Sequence, residues 1–142
     1  MKVKIINKSS FTLPEYKTSG SVGMDLQANI RNEIHIFGGA TILIPTGIYI
    51  QLPDGYEAQV RPRSGLALKQ QLVATFGTID SDYIGEIKVI INNVGKGERI
   101  IKPGDRIAQL VFAKVEKCEW NLVEELEETE RGESGFGSTG LN

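Results

Sequence analysis

Apolar and polar residues alternate in several short runs along the chain, a pattern typical of strands with one buried face. Runs of this kind occupy residues 2–7, 41–44, 47–52, 57–61, 85–93, 106–115 and 120–126. Turn-forming Gly, Pro, Asn and Asp residues separate them, at 38–39, 53–55, 92–93, 95–97 and 103–105. Many short strands at regular spacing predict an all-β sandwich or barrel.

A single segment, residues 64–71, has the composition of a helix, being rich in Leu, Ala, Lys and Gln. Ser64 is its predicted N-cap, and a helix this short must be held in place by the sheet. Backbone N–H groups at its N-terminus suit an anion, and Arg61 and Arg63 lie immediately upstream. A surface turn with two solvated arginines is the alternative interpretation.

Length and charge narrow the class of protein. A chain of 142 residues with 40% hydrophobic content is one ordinary domain with a single core. Its net charge of −2 argues against a general nucleic-acid partner, which needs a basic face. Apolar runs fall short of a membrane helix, and lysines interrupt the N-terminal apolar residues, so we expect neither a membrane partner nor a signal peptide. The expected location is the cytoplasm.

The cysteine and histidine content excludes several catalytic mechanisms. Cys118 is the one cysteine, so an intrachain disulfide and CxxC chemistry are ruled out. His35 is the one histidine and stands between Ile34 and Ile36, which predicts a strand residue that faces outward. A catalyst of the Ser-His-Asp or Cys-His type would need His35, and no nucleophile motif accompanies it.

Charge is distributed unevenly along the chain. Residues 1–115 carry a net charge of +4, whereas residues 116–130 carry seven glutamates and one lysine. Residues 131–142 are rich in glycine and cannot build a core. The sequence therefore predicts a barrel domain over 1–130 and a flexible arm over 131–142, which either closes over an anionic ligand or is a plain disordered end.

Polar residues in separate segments offer chemistry for a nucleotide. Asp80 and Tyr83 lie in a segment framed by glycines, where Asp80 could orient a water as general base and Tyr83 could pack on a sugar ring. Ordinary turn chemistry explains the same residues equally well. Asp25, Arg106 and Gln109 are weak signals alone. Together, carboxylates, cationic donors and free N–H groups suit a nucleotide phosphate with a divalent metal.

Five sequence motifs in order resemble those of one family, the trimeric dUTP pyrophosphatases (dUTPases). They are GMDLQA at 23–28, RPRSGLA at 61–67, GTIDSDY at 77–83, GDRIAQL at 104–110 and RGESGFGSTG at 131–140. The resemblance implies a jelly-roll-like distorted β-barrel with one short helix, assembled as a homotrimer with exchange of C-terminal arms. It implies hydrolysis of dUTP to dUMP and pyrophosphate, which limits uracil in DNA and supplies dUMP for dTMP synthesis.

The same resemblance implies a role for individual residues. Asp80 would activate the water that attacks the α-phosphorus, with Asp25 and Gln109 in the supporting catalytic network. Mg²⁺ would be held by the triphosphate and water, without direct protein ligands. The implied substrate-binding residues are Arg63, Ser64, Gly65, Ala74, Gly77, Thr78, Ile79, Asp80, Tyr83, Lys88, Gln109, Arg131, Phe136, Gly137, Ser138 and Thr139.

Four positions depart from the usual family pattern. Ala74 replaces an asparagine that contacts the pyrimidine, Phe76 replaces a small residue, Ile84 an Arg or Gln, and Ser134 a glycine. Losing one side-chain hydrogen bond costs about 1–2 kcal/mol of binding free energy.

Two alternative functions stay open at this point: a dUTP-binding regulatory trimer with little turnover, and a dCTP deaminase-like relative. The nearly complete arm motif favours the hydrolase over the deaminase.

Overall fold

Short strands dominate the chain. The computed structural model describes residues 1–133, and within them it contains ten strands and one helix. The strands are β1 Lys4–Asn7, β2 Gly23–Gln27, β3 Ile34–Ile36, β4 Thr41–Gln51, β5 Tyr56–Arg61, β6 Leu72–Ala74, β7 Gly77–Ile79, β8 Glu86–Asn93, β9 Arg99–Ile101 and β10 Arg106–Lys114, and the helix is α1 Ser64–Gln70.

The strands form two four-stranded sheets and a small ribbon. The first sheet has the order β1-β4-β8-β6, the second the order β2-β10-β5-β7, and the ribbon pairs β3 with β9. Each of these pairings is antiparallel. The prediction of an all-β fold with one short helix is confirmed.

Side-chain alternation in the strands builds the core between the sheets. In β8, Ile87, Val89 and Ile91 are buried, whereas Lys88 and Ile90 between them are exposed. Burying an aliphatic side chain of this size contributes about 1.5–3 kcal/mol. The same alternation in the neighbouring strands yields one contiguous apolar cluster.

Two predicted runs, 41–44 and 47–52, are in fact one strand of 11 residues, β4. Its register with β8 shifts between Pro45 and Ile48, as expected where a β-bulge interrupts the ladder. Gly47 stands in this bulge with φ of 70°, and a Cβ there would lie 2.7 Å from the backbone N of Ser9. The bulge therefore requires glycine at this position.

The predicted helix is present, but its N-cap is Arg63 and not Ser64. The carbonyl of Arg63 accepts hydrogen bonds from the N–H groups of Leu66 and Ala67, both at 3.1 Å. That pattern makes Arg63, which has extended backbone angles, the last residue before the helix. Ser64 is the first helical residue and its hydroxyl caps nothing.

The strand predicted over residues 120–126 is wrong. Residues 115–133 form no regular element, and Trp120 and Leu122 are 93% and 96% exposed. A strand needs a hydrogen-bonded neighbour, and none of the strand pairings within residues 1–133 includes this segment. Alternating apolar residues were therefore insufficient evidence of a strand here.

His35 lies on β3, on the exposed side of the β3–β9 ribbon, as predicted. Its Nδ1 is 3.1 Å from Glu98 Oε1 and its Nε2 is 3.2 Å from Glu33 Oε1. The carboxylates of Glu98 and Glu33 raise the pKa of this imidazole through these hydrogen bonds. His35 thus belongs to a surface ion-pair group away from the polar residues described next.

No helix within residues 1–133 is both long enough and apolar enough to cross a membrane.

Candidate active site

A cleft of about 390 Å³ opens between the end of β7 and the first half of β8. Six of its ten lining residues were predicted from the sequence to bind substrate. They are Gly77, Thr78, Ile79, Asp80, Tyr83 and Lys88. The structure therefore brings the third motif and Lys88 into one concave site of the size that small ligands occupy.

Asp80 is the first residue after β7, at the mouth of the cleft. Its carbonyl accepts a hydrogen bond from Tyr83 N–H at 3.1 Å, which closes a tight turn. Within the described part of the chain, no side chain bonds to the Asp80 carboxylate, and the residue is exposed. Both oxygens are therefore available to a water or a hydroxyl group of a ligand.

Tyr83 is fixed at its hydroxyl end. The hydroxyl donates a 2.9 Å hydrogen bond to the carbonyl of Glu86, so the ring folds back across the turn. The carboxylate of Glu86 in turn accepts the N–H of Gly47 at 2.8 Å, which ties the turn to the β4 bulge. Lys88 Nζ lies 4.0 Å from the same carboxylate.

A second polar cluster surrounds Asp25 on β2. Arg63 Nε lies 2.9 Å from Asp25 Oδ1, and Arg106 Nη1 donates a 3.1 Å hydrogen bond to Asp25 Oδ2. The Arg63 N–H is not aimed at Oδ1, which is buried and accepts no hydrogen bond among the described residues, so this contact is an ion pair only. The side chain of Asp25 is 12% exposed.

The Asp25 cluster orients Arg63 at the start of the helix. Arg63 Nη1 donates a 2.8 Å hydrogen bond to the carbonyl of Arg106 on β10. Gln109, also on β10, pairs across the sheet with Asp25 on one side and Arg61 on the other. Asp25, Arg63 and Gln109, predicted from three different motifs, are thus neighbours in the fold.

Replacing Asp25 by asparagine is expected to destabilise the fold, because two guanidinium groups would lose the carboxylate that they share. Breaking a partly buried ion pair of this kind costs about 1–3 kcal/mol. Urea denaturation monitored by circular dichroism measures this loss in the free energy of unfolding. Glu15→Gln is the matched control, because Glu15 pairs with Lys17 at 66% exposure and contributes little. Equal effects of the two substitutions would contradict the structural role of Asp25.

The cleft and the Asp25 cluster lie on opposite edges of one sheet. The order β2-β10-β5-β7 puts Asp25 on one edge strand and the residues before Asp80 on the other. Three inter-strand steps of about 4.8 Å separate these strands by roughly 14 Å. A single chain therefore does not bring Asp25 and Asp80 together.

The remaining predicted residues fall in three places. Ser64 and Gly65 are exposed at the start of α1. Ala74 is 2% exposed and packs in the core, so its methyl group is not placed to contact a ligand. Arg131 is the one predicted arm residue within the described part of the chain, and Phe136, Gly137, Ser138 and Thr139 lie outside it.

Sequence reasoning missed several residues that shape the site. Leu43, Val60 and Ile87 line the cleft from neighbouring strands, and Glu86 anchors Tyr83. The periodicity of these strands predicted only which residues are buried or exposed, and it could not show which of them line a cleft.

Phe76 is one of the residues that depart from the usual family pattern. Its ring lies 5.7 Å from the Arg61 guanidinium, close enough for a cation–π contact.

Comparison with known proteins agrees with the geometry. The dUTPase family matches residues 9–140 of the chain. The deoxyuridine 5'-triphosphate nucleotidohydrolase of Finegoldia magna is 54% identical, over 99% of both chains, and that of Fusobacterium nucleatum is 51% identical, over 99% of this chain and 97% of the relative. The solved dUTPase of Staphylococcus bacteriophage 80alpha with dUPNHPP is 27% identical, with a TM-score of 0.90 over 99% of both chains.

An all-β fold with a small-ligand cleft and an arginine–carboxylate cluster fits an enzyme that binds phosphorylated nucleosides. The chain belongs to the dUTPase family.

Proposed function

We propose that the chain hydrolyses dUTP to dUMP and pyrophosphate by attack of water on the α-phosphorus. The observation that carries this proposal is the cleft that Asp80 lines together with Tyr83 and the β7 backbone, with no partner on the Asp80 carboxylate among residues 1–133. Family membership over nearly the whole chain supports the same reaction. The regulatory binder and the deaminase are not favoured by any described residue.

The base and sugar of dUTP fit the cleft beside β7. Because β7 is an edge strand, one side of its backbone has no strand neighbour within residues 1–133 and can hydrogen-bond to the polar edge of uracil. The backbone of Gly77, Thr78 and Ile79 would do this, with Lys88 on the opposite wall. Tyr83 would lie under the deoxyribose, where a ribose 2′-hydroxyl would collide with its ring.

Asp80 is the proposed general base. Its carboxylate accepts a proton from the attacking water while the water oxygen bonds to the α-phosphorus, and the bond to pyrophosphate breaks. The water oxygen ends in dUMP, and the pyrophosphate leaves with the β- and γ-phosphorus atoms. The exposed position of Asp80 after β7 supports this role, because both a water and the sugar 3′-hydroxyl can reach its carboxylate.

The Asp25 cluster is the proposed phosphate half of the site. Arg63 supplies a cation, and Gln109 supplies an amide donor on the adjacent strand. The first helical N–H groups, those of Ser64 and Gly65, have no acceptor within α1 and point out of its N-terminus. Asp25 would hold Arg63 in place and would not touch the phosphates itself.

Mg²⁺ is the proposed cofactor, bound to the triphosphate and to water. Hard phosphate oxygens are ligands that Mg²⁺ prefers, and the ion neutralises charge on the reacting phosphate. Within residues 1–133, no group of three or more acidic, His or Cys side chains is placed to hold a metal. Asp25 already contacts two arginines, so a cation placed directly on it would face two guanidinium groups.

A homotrimer with shared sites would complete each active site. The strand order leaves Asp25 and Asp80 on opposite edges, which supports a site completed by a neighbouring chain. Exposed apolar side chains after β10, Trp120, Leu122 and Leu126, are 93%, 96% and 87% exposed and would be covered in such an assembly. The division into a barrel over 1–130 and an arm over 131–142 belongs to the same proposal.

Pyrophosphate release from dUTP, dCTP, dTTP and UTP, measured in parallel with Mg²⁺ and with ammonia monitored, tests the reaction. We expect rapid release from dUTP alone and no ammonia, because only uracil on a deoxyribose suits the cleft. Ammonia from dCTP would identify a deaminase. Binding of dUTP without turnover would identify a regulatory protein.

A further inference from the structure

Gly85 lies directly against the ring of Tyr83. A Cβ built on Gly85 would be 2.5 Å from Tyr83 Oη, 2.6 Å from Cζ and 2.9 Å from Cε2. Contacts this short do not occur between non-bonded carbon and ring atoms. Any side chain at position 85 would therefore displace the ring or break the hydrogen bond between Tyr83 and Glu86.

The backbone at Gly85 does not itself require glycine. The glycines with positive φ among residues 1–133 are Gly39, Gly47, Gly55, Gly104 and Gly132, and Gly85 is not one of them. Gly85 therefore does not occupy the left-handed region of φ that favours glycine. The ring of Tyr83 is thus the reason that a side chain is excluded here.

The residue after Gly85 fixes the other side of the ring. Glu86 accepts the Tyr83 hydroxyl through its carbonyl, and its carboxylate is held by the N–H of Gly47 at 2.8 Å. Gly47 in turn is locked in the β4 bulge. The ring cannot avoid a new Cβ by moving together with Glu86, because Glu86 is tied to another strand.

We propose that Gly85 is a positioning residue for Tyr83 and so determines the discrimination between deoxyribose and ribose. This inference rests on the proposed function, in which Tyr83 packs under the sugar. Restoring ordinary van der Waals distance from a Cβ would move the ring by about 1 Å toward the cleft, and a displacement of that size can cost up to about 100-fold in rate.

The test is a double-mutant cycle of wild type, Gly85→Ala, Tyr83→Ala and the double variant. For each, kcat and KM are measured with dUTP and with UTP. We expect Gly85→Ala to lower the ratio of kcat/KM for dUTP over UTP by about 10- to 100-fold. In the Tyr83→Ala background the added methyl group has room, so we expect less than about a twofold further change.

Two controls separate positioning from folding. Gly20→Ala is the matched substitution, because a Cβ there meets nothing within 4 Å, and it should leave the ratio unchanged. If Gly85→Ala alone fails to fold, a folded double variant with the ratio of Tyr83→Ala still supports the proposal. An unfolded double variant, a wild-type ratio in Gly85→Ala, or additive effects of the two substitutions would overturn it.

Failure of the proposed function gives a different result. A wild-type protein that turns over neither dUTP nor UTP would contradict the reaction, and the position of the ring can still be measured. Nuclear Overhauser effects between Gly85 Hα and the Tyr83 ring protons are expected in the free protein and should be weaker for the Hα that remains in Gly85→Ala. Their absence from the wild type would overturn the contact itself.

Discussion

Asp80→Asn is expected to bind dUTP and to lose turnover by about 100- to 10,000-fold. Asparagine has the shape of aspartate and can still hydrogen-bond a water and the sugar, but its amide cannot take the proton from the attacking water. The rate of pyrophosphate release gives kcat, and calorimetry with a non-hydrolysable dUTP analogue gives the affinity. The expected result is a large fall in kcat with little change in affinity.

Asp82→Asn is the matched control for Asp80→Asn. It makes the same change of charge two residues away, and Asp82 does not line the cleft. It should therefore keep most of the wild-type rate. If Asp80→Asn also kept the wild-type rate, or if both variants lost activity equally, Asp80 would not be the general base.

Truncation after Glu130 is expected to leave a folded barrel that has lost at least about 100-fold in activity. The described cations near the site are partly engaged: Arg63 and Arg106 face Asp25, and Lys88 faces Glu86. A triphosphate needs further donors, and the arm motif carries Arg131, Ser138 and Thr139. Pyrophosphate release by the truncated protein, at saturating dUTP and Mg²⁺, measures the loss.

Stability measurements show whether the truncated chain is a fair comparison. Among the described residues, the last strand ends at Lys114 and no residue of the apolar core lies beyond it, so the melting temperature should change little. Truncation after Gly140, which keeps the whole arm motif, should retain activity. A folded chain that ends at Glu130 and works at the wild-type rate would exclude any role of the arm.

Alternation along the sequence predicted three of the longer strands well, divided the longest strand, β4, into two runs, and missed several short strands. The runs 57–61, 85–93 and 106–115 correspond to β5, β8 and β10 within one residue at each end. By contrast, β6 and β9 have three residues each, too few for a period of two to stand out. Strands β6 and β9 form because they pair with β8 and β3 in the folded chain. These pairings depend on the tertiary structure and are not encoded in the local sequence of either strand.

Motifs predicted the polar residues of the site but not how they are arranged. Arg106 and Asp25 are 81 residues apart in the chain and are joined because β10 and β2 pair in the sheet. Spacing in the sequence could not show that Asp25 contacts two arginines, or that the Tyr83 hydroxyl bonds to the carbonyl of Glu86. The error at 120–126 has the same origin, since a strand depends on a partner as well as on its own pattern.

The opposite placement of Asp25 and Asp80 in the second sheet has a consequence for how activity is controlled. If each active site is built from residues of two chains, only the assembled oligomer is active, and a folded monomer is inactive. Dilution would then switch activity off without unfolding any domain. A substitution that inactivates one chain would likewise inactivate a site shared with its neighbour, so an intact chain would also lose activity.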